Sequence, residues 1–451
     1  MNDADRPHLL MVTNHGIHEW QITAGLPDTG GQNVYVNELS AAFAKLGFRV
    51  TTANRGGYPH PADGSDRTGV RTRGDAERIV YLEDSSDDFV RKEDMFSRVE
   101  ELAYDLARRV REDKSPPLAI ISHYWDGARV ADLARTELGL EEVPHVWIPH
   151  SLGRLKKRNT DPSSWDQLRI PERIEIETQL LDRLDAVVHT SRAMKESLRD
   201  EYGYEGSIFV PPGVDTDRFD PDKVRNDHRG VELLRELLGR DAGQITAAPI
   251  ITEISRTAPT KRKDVLIRAF ARARERFPTA LLAVSIDSTE EKLHAELTGL
   301  IEELSLTDSV AVLGSVWEYV PSLYGLSAIY CTPSIMEGFG MSIQEAAACR
   351  VAAVACDRVP FAAEYLLGEQ PKTETLDDGS TITTGEGAIV VPPDAVGATA
   401  EALVRLLEDD GLRNRMAERA YRMTVPAFTW RNAAKQLLTK AGVSVPGGGE
   451  S

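Results

Sequence analysis

Short apolar runs alternate with amphipathic helical patterns along the chain, and the alternation starts afresh about halfway. The first half runs from HLLMVTNH at His8, through the helical pattern QNVYVNELSAAFAKLGF, to runs such as LAIISHYWDG, where a buried strand is predicted to lead into a loop. After a stretch rich in proline and glycine, the pattern begins again at APIITEISR. Because strands that alternate with helices form parallel, doubly wound sheets, we predict an α/β protein with two Rossmann-like domains.

The length of the chain agrees with two domains. At 451 residues it exceeds what one hydrophobic core usually supports. We place the N-terminal domain at 1–225 and the C-terminal domain at 226–429. A helix at 430–445 is expected to pack back onto the first domain, and 446–451 to be a disordered tail. Open parallel sheets bind ligands at the carboxyl ends of their strands, so two facing domains predict a cleft lined by those loops.

Composition narrows the class of partner. The net charge of −18 opposes binding to nucleic acid or anionic lipid, and no apolar run is long enough to span a bilayer. The N-terminus lacks the apolar segment of a secretory signal. Three cysteines without a CxxC pair fit reduced thiols better than disulfides or zinc. We therefore expect a cytoplasmic protein of small-molecule metabolism, and a homo-oligomer is compatible with this.

The stretch DTGGQ stands where a strand–loop–helix junction is predicted. Without a Cβ at Gly30 and Gly31, the backbone can come close to an anion at the helix N-terminus. A tight turn would explain the two glycines equally well. The GxGxxG spacing of a dinucleotide site is missing, and no acidic residue ends the second strand, so a hydride-transfer enzyme is disfavoured.

Two further loops after strands carry basic residues. In PHSLGRLKKR, His150 follows a strand, and a basic run with Lys156 comes next. In SRTAPTKRKD, Arg256 ends a strand and Lys261 lies five residues on. A polar histidine and solvated charged loops are the plain alternatives. In so acidic a chain, cations after strands favour phosphate or diphosphate binding.

The last stretch, PSIMEGFGMSIQEAAA, places one carboxylate on each side of a glycine-rich loop. Glu337 lies in the loop, and Glu345 lies eight residues later in the predicted helix. The helix N-terminus offers free N–H groups to an anion, and the two carboxylates can hold sugar hydroxyls. A glycosidase acid and nucleophile remain an alternative, because the glycine loop leaves the distance between the carboxylates open.

These four stretches, in this order, resemble the retaining GT-B glycosyltransferases of family 4, and most closely their sucrose-phosphate synthase and sucrose synthase branch. DTGGQNVYV, HSLG, RIEIE, PPGVDTDRF and MEGFGMSIQEA all fall at family positions, and the similarity spans nearly the whole chain. The resemblance implies the GT-B fold, a nucleotide-sugar co-substrate, no cofactor and no required metal.

The resemblance also implies roles for individual residues. Catalytic roles fall on His150, Arg256, Lys261 and Glu337. Donor-binding roles fall on Gly30, Gly31, Gly338, Phe339, Gly340, Met341, Ser342 and Glu345. Acceptor-binding roles fall on Gln32, Lys92, Tyr124, Ser151, Lys156 and Arg173. Lys92, in FVRKEDMF, and Lys156 would meet an acceptor phosphate.

We therefore expect a hexosyltransferase that moves glucose or mannose from a nucleoside-diphosphate sugar to a small phosphorylated acceptor. Fructose 6-phosphate, giving a product such as sucrose 6-phosphate, is the first acceptor to consider. A 3-phosphoglycerate or glucosyl-3-phosphoglycerate acceptor is an alternative, as are a GT-B sugar-nucleotide epimerase and an inactive binding protein. The acidic charge opposes a membrane-lipid glycosyltransferase.

Overall fold

The chain divides into two compact units. The structure is a computed structural model that describes residues 6–22, 26–113, 115–288, 290–314 and 316–446. Unit 1 comprises Met1–Gly213 and Trp430–Ser451, and unit 2 comprises Val214–Thr429. Apart from Pro446, the tail that we predicted to be disordered lies outside the described residues.

In the described part of unit 1, eight strands form one sheet. They are β1 (His8–Val12), β2 (Arg49–Arg55), β3 (Val70–Arg73), β4 (Glu77–Leu82), β5 (Ala119–His123), β6 (His145–Ile148), β7 (Ala186–His189) and β8 (Ile208–Phe209). The order across the sheet is β3-β4-β2-β1-β5-β6-β7-β8, and only the pairing of β3 with β4 is antiparallel. Strands β1, β5 and β6 are buried along their whole length, as expected where helices cover both faces of a parallel sheet.

Helices connect these strands. They are α1 (Gly31–Lys45), α2 (Val99–Asp113), α3 (Tyr124–Glu137), α4 (Gly153–Arg158), α5 (Ile170–Leu181) and α6 (Arg192–Tyr202). Apolar side chains of α2 and α3 pack with those of β1 and β5 in one core cluster around Leu10, Leu102, Ile120 and Ala131. This packing fixes the carboxyl ends of the central strands.

In the described part of unit 2, the sheet also has eight strands. They are β9 (Ile250–Glu253), β10 (Leu281–Ser285), β11 (Val310–Leu313), β12 (Ser327–Thr332), β13 (Ala352–Cys356), β14 (Lys372–Thr375), β15 (Thr381–Thr384) and β16 (Ala388–Val391). Their order is β11-β10-β9-β12-β13-β16-β15-β14, and β14 and β15 form an antiparallel hairpin at one edge. The pairs from β11 through to β16 are parallel.

The helices of unit 2 lie before, between and after these strands. They are α7 (Pro221–Arg225), α8 (Arg229–Leu238), α9 (Ala242–Ala247), α10 (Lys263–Arg276), α11 (Glu291–Glu303), α12 (Val320–Leu326), α13 (Met341–Ala348), α14 (Val396–Glu408) and α15 (Asp410–Thr424). A π-helical segment spans Phe361–Leu366. The chain then returns to unit 1, where α16 (Trp430–Lys440) packs against α1.

In each sheet, the first strands of the chain extend to one side of a central strand, and the later strands are added on its other side. The reversal falls between β1 and β5 in unit 1, and between β9 and β12 in unit 2. Loops diverge at such a switch point and leave a crevice that binds ligands in doubly wound proteins. The fold therefore matches the predicted pair of Rossmann-like domains, and it directs attention to the loops after β1, β5, β9 and β12.

The division between the units differs from the predicted boundary at residue 225. Val214 already belongs to unit 2, where its backbone N–H donates to the carbonyl of Phe428 (2.9 Å) and it forms a β-bridge with Thr429. Helices α7 and α8 pack against α12 of the same unit. The amphipathic patterns of α7 and α8 show that each helix has a buried face, but they do not indicate whether that face packs on the core of unit 1 or of unit 2.

Two local predictions also differ from the structure. The run GRLKKR, expected to be a loop, forms the short helix α4. The segment YWDG, expected to continue a strand into a loop, forms the first turn of α3. In both places the helix begins within a few residues of a buried strand, and the sequence contains no capping residue that would mark its start.

Candidate active site

The loop after β1 leads into α1 through the predicted DTGGQ segment. A Cβ built on Gly30 or Gly31 would meet no atom within 4 Å, so the backbone is open on that side. The Gly30 amide, however, donates to the Asn33 side chain (2.9 Å), so it is already engaged. Gln32 donates to the Thr13 hydroxyl (3.1 Å) and ties the helix to the loop. Of the two predicted anion-facing amides, that of Gly30 is therefore already bound within the protein.

Lys92 and Lys156 come together in unit 1, although they lie in separate segments of the sequence. Both ammonium groups lie 3.6 Å from the same oxygen, Oε1 of Glu93. Lys92 also pairs with Asp28, whose carboxylate accepts hydrogen bonds from both the ammonium group and the backbone N–H of Lys92. Burial alone would raise the pKa of Asp28, but Lys92 outweighs it and holds that pKa below the usual value. The predicted acceptor lysines therefore share one charged cluster.

Arg173 connects the remaining predicted acceptor residues. Its guanidinium donates to the Tyr124 hydroxyl and to the backbone and side-chain oxygens of Ser151. It also stacks over the Tyr124 ring, with 4.2 Å from Cζ to the ring centroid. Arg173 is only 2% exposed, and its charge is balanced by Glu177, four residues along α5 (2.7 Å). Glu177 is fully buried and also accepts from the Gly153 amide (2.8 Å).

This arrangement changes the expected role of Arg173. Burial opposes its charge, but Glu177 more than compensates and raises the pKa of the guanidinium. With its donors occupied by Glu177, Tyr124 and Ser151, Arg173 orients the two residues that follow β5 and β6. Burial also lowers the pKa of Lys156, with a further contribution from the charge of Arg173.

His150 follows β6 and is held by a second histidine. Its Nε2 lies 2.9 Å from Nδ1 of His123, the last residue of β5, and the two rings stack. Tyr35 of α1 meets the His150 ring edge to face at 4.9 Å between centroids. Burial, and to a lesser degree His15, lowers the pKa of His150 to about 3. Burial likewise lowers the pKa of His123, so both rings are neutral and one donates to the other.

Two residues at this edge adopt a left-handed backbone. Tyr124 has φ 63° and His150 has φ 57°. This region is uncommon for residues other than glycine and costs free energy that the surrounding structure must supply. Such residues cluster at functional sites. Both lie directly at the carboxyl ends of neighbouring strands, β5 and β6.

In unit 2, two of the predicted catalytic residues pair with each other. Lys261 Nζ lies 2.5 Å from Oε1 of Glu337, although the loops after β9 and β12 carry them separately. The Ile335 amide donates to the Thr260 carbonyl (2.9 Å) and joins these two loops. Arg256 is exposed, and its guanidinium has no hydrogen-bond or ion-pair partner within the described residues. Thus one predicted cation is paired with a carboxylate, and the other is free to bind an anion.

The glycine-rich loop after β12 ends at α13, as predicted. Gly340 precedes the helix with φ 105°, and a Cβ there would lie 2.8 Å from the Val359 side chain. Both observations require glycine at this position. Phe339 is buried in an aromatic cluster with Phe361 and Phe428, so only its backbone can face a ligand. The other predicted donor residues of the loop and helix are Gly338, Met341, Ser342 and Glu345, and none of them is fully buried.

Sequence reasoning missed three carboxylates that organise these loops. Two of them, Glu93 and Glu177, lie in unit 1. In unit 2, Glu253 is fully buried at the end of β9 and lies 2.9 Å from the Lys263 ammonium. Burial lowers the pKa of Lys263, and Glu253 acts in the opposite direction. The Arg173–Glu177 spacing of four residues was the one available signal, because it places both side chains on one face of a helix.

Comparison with known proteins agrees with this description. Residues 30–213 match the family described as glycosyl transferase 4-like domain, and residues 240–423 match glycosyl transferases group 1. Mannosylfructose-phosphate synthase of Agrobacterium fabrum is 26% identical over 96% of this chain and 90% of that protein. A D-inositol 3-phosphate glycosyltransferase of Kineococcus radiotolerans is 28% identical over 92% of this chain and 90% of that protein.

Solved structures show the same fold. Sucrose-phosphate synthase from Thermosynechococcus elongatus aligns with a TM-score of 0.76 at 22% identity, over 96% of this chain and 98% of that one. Anabaena HepE, solved in complex with UDP and glucose, aligns with a TM-score of 0.68 at 16% identity, over 97% and 99%. No helix among the described residues is long and apolar enough to cross a bilayer. With one glycosyltransferase family matched in each unit, the chain is a glycosyltransferase and belongs to the GT4-like, group 1 enzymes of the GT-B fold.

Proposed function

We propose that this enzyme transfers a hexose from a nucleoside-diphosphate sugar to a small phosphorylated acceptor, with retention of anomeric configuration. Fructose 6-phosphate is the first acceptor to test. The observation that carries the proposal is the convergence of Lys92 and Lys156 on one oxygen of Glu93 in unit 1. Two ammonium groups that face the same position can both bind the oxygens of one phosphate monoester.

The relatives support the same acceptor class. The name of mannosylfructose-phosphate synthase contains a phosphorylated disaccharide, and that of D-inositol 3-phosphate glycosyltransferase contains a phosphorylated cyclitol. For this chain we propose that unit 1 binds the acceptor through Lys92, Lys156, Gln32 and Ser151. Arg173 and Tyr124 would act mainly by orienting that surface, because their polar groups are engaged with each other.

For the donor, we propose that unit 2 stabilises the leaving diphosphate. Arg256 is exposed and unpaired among the described residues, so it can meet a phosphate without first breaking an ion pair. Lys261 would turn from Glu337 toward the diphosphate as negative charge develops there, and Glu337 would then accept hydrogen bonds from sugar hydroxyls. The α13 N-terminus, with the amides from Gly338 to Ser342, would complete the anion site, and Glu345 would hold the ribose.

Retention would follow from front-face attack through an oxocarbenium-like state, without a covalent intermediate. His150 would lie beside the donor hexose and act as a neutral group, since burial lowers its pKa to about 3. We propose that two cations take the part of a metal ion, so that turnover continues in the presence of EDTA.

A second acceptor is favoured by the comparisons. Seven relatives between 26% and 29% identical are D-inositol 3-phosphate glycosyltransferases. We therefore propose inositol 3-phosphate as the alternative to fructose 6-phosphate, and a 3-phosphoglycerate acceptor as a further one. An epimerase or an inactive binding protein would release no nucleoside diphosphate in an acceptor-dependent way.

The test is a matrix of UDP-, GDP- and ADP-linked glucose and mannose against these acceptors and their dephosphorylated forms. Nucleoside diphosphate release identifies the active pair, and NMR of the product gives its anomeric configuration. We expect Lys92→Met and Lys156→Met to raise the acceptor KM and leave the donor KM unchanged. Lys157→Met is the matched control, because its ammonium lies over the Trp165 ring at 4.5 Å. Equal activity with a dephosphorylated acceptor would refute the proposed acceptor class, and an inverted product would refute the retaining mechanism.

A further inference from the structure

The charge cluster around the two acceptor lysines already contains its own anion. Oε1 of Glu93 lies 3.6 Å from the ammonium groups of both Lys92 and Lys156. This is the position that a phosphate oxygen would need in order to meet both lysines. A phosphorylated acceptor therefore competes with Glu93 for the same two cations.

The contacts of Glu93 are suited to displacement. Both ion pairs, at 3.6 Å, are longer than a normal hydrogen bond. Its side chain is 16% exposed, so it has a path toward solvent. Asp28, the other carboxylate of the cluster, differs in both respects: its side chain is 8% exposed, and it accepts both the backbone N–H and the ammonium of Lys92.

The charges show what the displacement achieves. Lys92 and Lys156 are balanced by Asp28 and Glu93, so the cluster as a whole is neutral. When Glu93 turns away, Lys92, Lys156 and the fixed Asp28 leave one net positive charge. A phosphate monoester, with a charge of about −2 near neutral pH, interacts with that field roughly twice as strongly as a carboxylate does. A bound carboxylate carries the same charge as the Glu93 side chain that it displaces, so it gains no extra attraction to the two lysines.

We propose that Glu93 sets the affinity of the acceptor site by occupying the acceptor phosphate position as a competing internal anion. It lowers the affinity of the site for every anion by the same factor, so that a carboxylate no longer binds usefully while a phosphorylated sugar still does. This inference rests on the proposed phosphorylated acceptor and names the residue that sets its affinity.

The variant that tests it is Glu93→Gln, which keeps the shape of the side chain and removes its charge. We expect the acceptor KM and the inhibition constant of inorganic phosphate both to fall by about tenfold, because two partly buried ion pairs no longer compete with the ligand. The values of kcat and donor KM should stay within about twofold of the wild-type enzyme. Glu93→Asp, which keeps the charge, should restore acceptor KM toward the wild-type value.

The matched control is Asp94→Asn. Asp94 is the next residue and is exposed, so this variant removes the same charge without opening the lysine pair. Its acceptor KM and phosphate inhibition should stay within about twofold of wild type, because exposed charges are well screened. A tenfold tightening in both variants would mean a general charge effect and would overturn the proposal.

A structural role for Glu93 predicts the opposite result. If Glu93 only holds the lysines in place, Glu93→Gln will weaken phosphate binding and raise the acceptor KM, which overturns the proposal. The increase in Tm with added inorganic phosphate provides a readout that does not depend on activity, and it should begin at lower phosphate concentration in Glu93→Gln.

This thermal readout also separates the two claims. If a dephosphorylated acceptor proves to be the substrate while Glu93→Gln binds inorganic phosphate more tightly, the proposed function fails and the role of Glu93 as a competing anion stands. If a phosphorylated acceptor is confirmed but phosphate binding does not tighten in the variant, the role of Glu93 is refuted and the function stands.

Discussion

The buried pair of Arg173 and Glu177 allows a prediction whose size follows from the structure. The two side chains are 2% and 0% exposed, and Arg173 Nε donates to Glu177 Oε1 at 2.7 Å. Arg173→Met would leave the Glu177 charge in the interior, supported only by the Gly153 amide and the Tyr202 hydroxyl. Breaking a buried pair by removing one member costs about 3–5 kcal/mol.

That free energy converts into a shift in melting temperature that can be measured. For a domain of roughly 150–250 residues, each kcal/mol lowers Tm by about 2–4 °C, so the transition of unit 1 should fall by about 6–20 °C. Circular dichroism during heating is a sufficient assay. The double variant Arg173→Met with Glu177→Leu should lose less than the sum of the two single variants, because it leaves no unpaired buried charge.

The matched control is the exposed pair of Lys292 and Glu296, which has the same spacing of four residues. The Lys292 side chain is 92% exposed, and Lys292→Met should change Tm by no more than about 2 °C, because such pairs contribute little. If Arg173→Met shifts Tm no more than this control does, the buried pair is not what holds this part of unit 1 together. Arg173→Met should also raise the acceptor KM, since Arg173 orients Ser151 and Tyr124.

Three further outcomes can be measured directly. Lys261→Met should lower kcat by at least about 100-fold in an assay of nucleoside diphosphate release, because the cation meets developing charge; near-normal turnover would remove Lys261 from the mechanism. Gly153→Ala should destabilise unit 1 by about 1–3 kcal/mol in urea denaturation, because a Cβ would lie 2.8 Å from Ile174; wild-type stability would show that the site has room. Burial lowers the pKa of His145 to about 3, below the unfolded value near 6.5. Between these two pH values the unfolded protein binds a proton at His145 and the folded protein does not, so stability is lost as pH falls from about 6.5 toward 3. His145→Asn should therefore lessen the slope of unfolding free energy against pH by about 1.4 kcal/mol per pH unit between pH 6 and 4, and an unchanged slope would contradict this.

The architecture could be predicted from the sequence because it depends on periodicity. Strands such as HLLMV and AIISH are buried along their whole length, and a continuous apolar run records that directly. The loops that follow them could be located for the same reason. The polar residues that those loops carry, including His150, Arg256 and Glu337, could therefore be identified as candidates from the sequence alone.

Pairings between distant segments could not be predicted in this way. Nothing in the sequence indicates that Glu93 lies between Lys92 and Lys156, or that Lys261 pairs with Glu337, because these contacts depend on how separate loops meet. The Gly30 amide illustrates the same limit on a shorter scale. Its engagement by Asn33 follows from the rotamer of one side chain, and the sequence predicted only an open backbone.

The path of the chain through the two units bears on how the protein is made. Unit 2 is one continuous segment, Val214–Thr429, and its two ends meet where the Val214 amide donates to the carbonyl of Phe428 (2.9 Å). Unit 1 is interrupted by it and recovers α16 only afterwards, when Trp430 packs against Tyr35 at 4.9 Å between ring centroids. During synthesis from the N-terminus, unit 2 can close its core while α1 still lacks this partner helix. Nascent unit 1 thus exposes an apolar face of α1 for as long as the ribosome takes to translate the whole of unit 2.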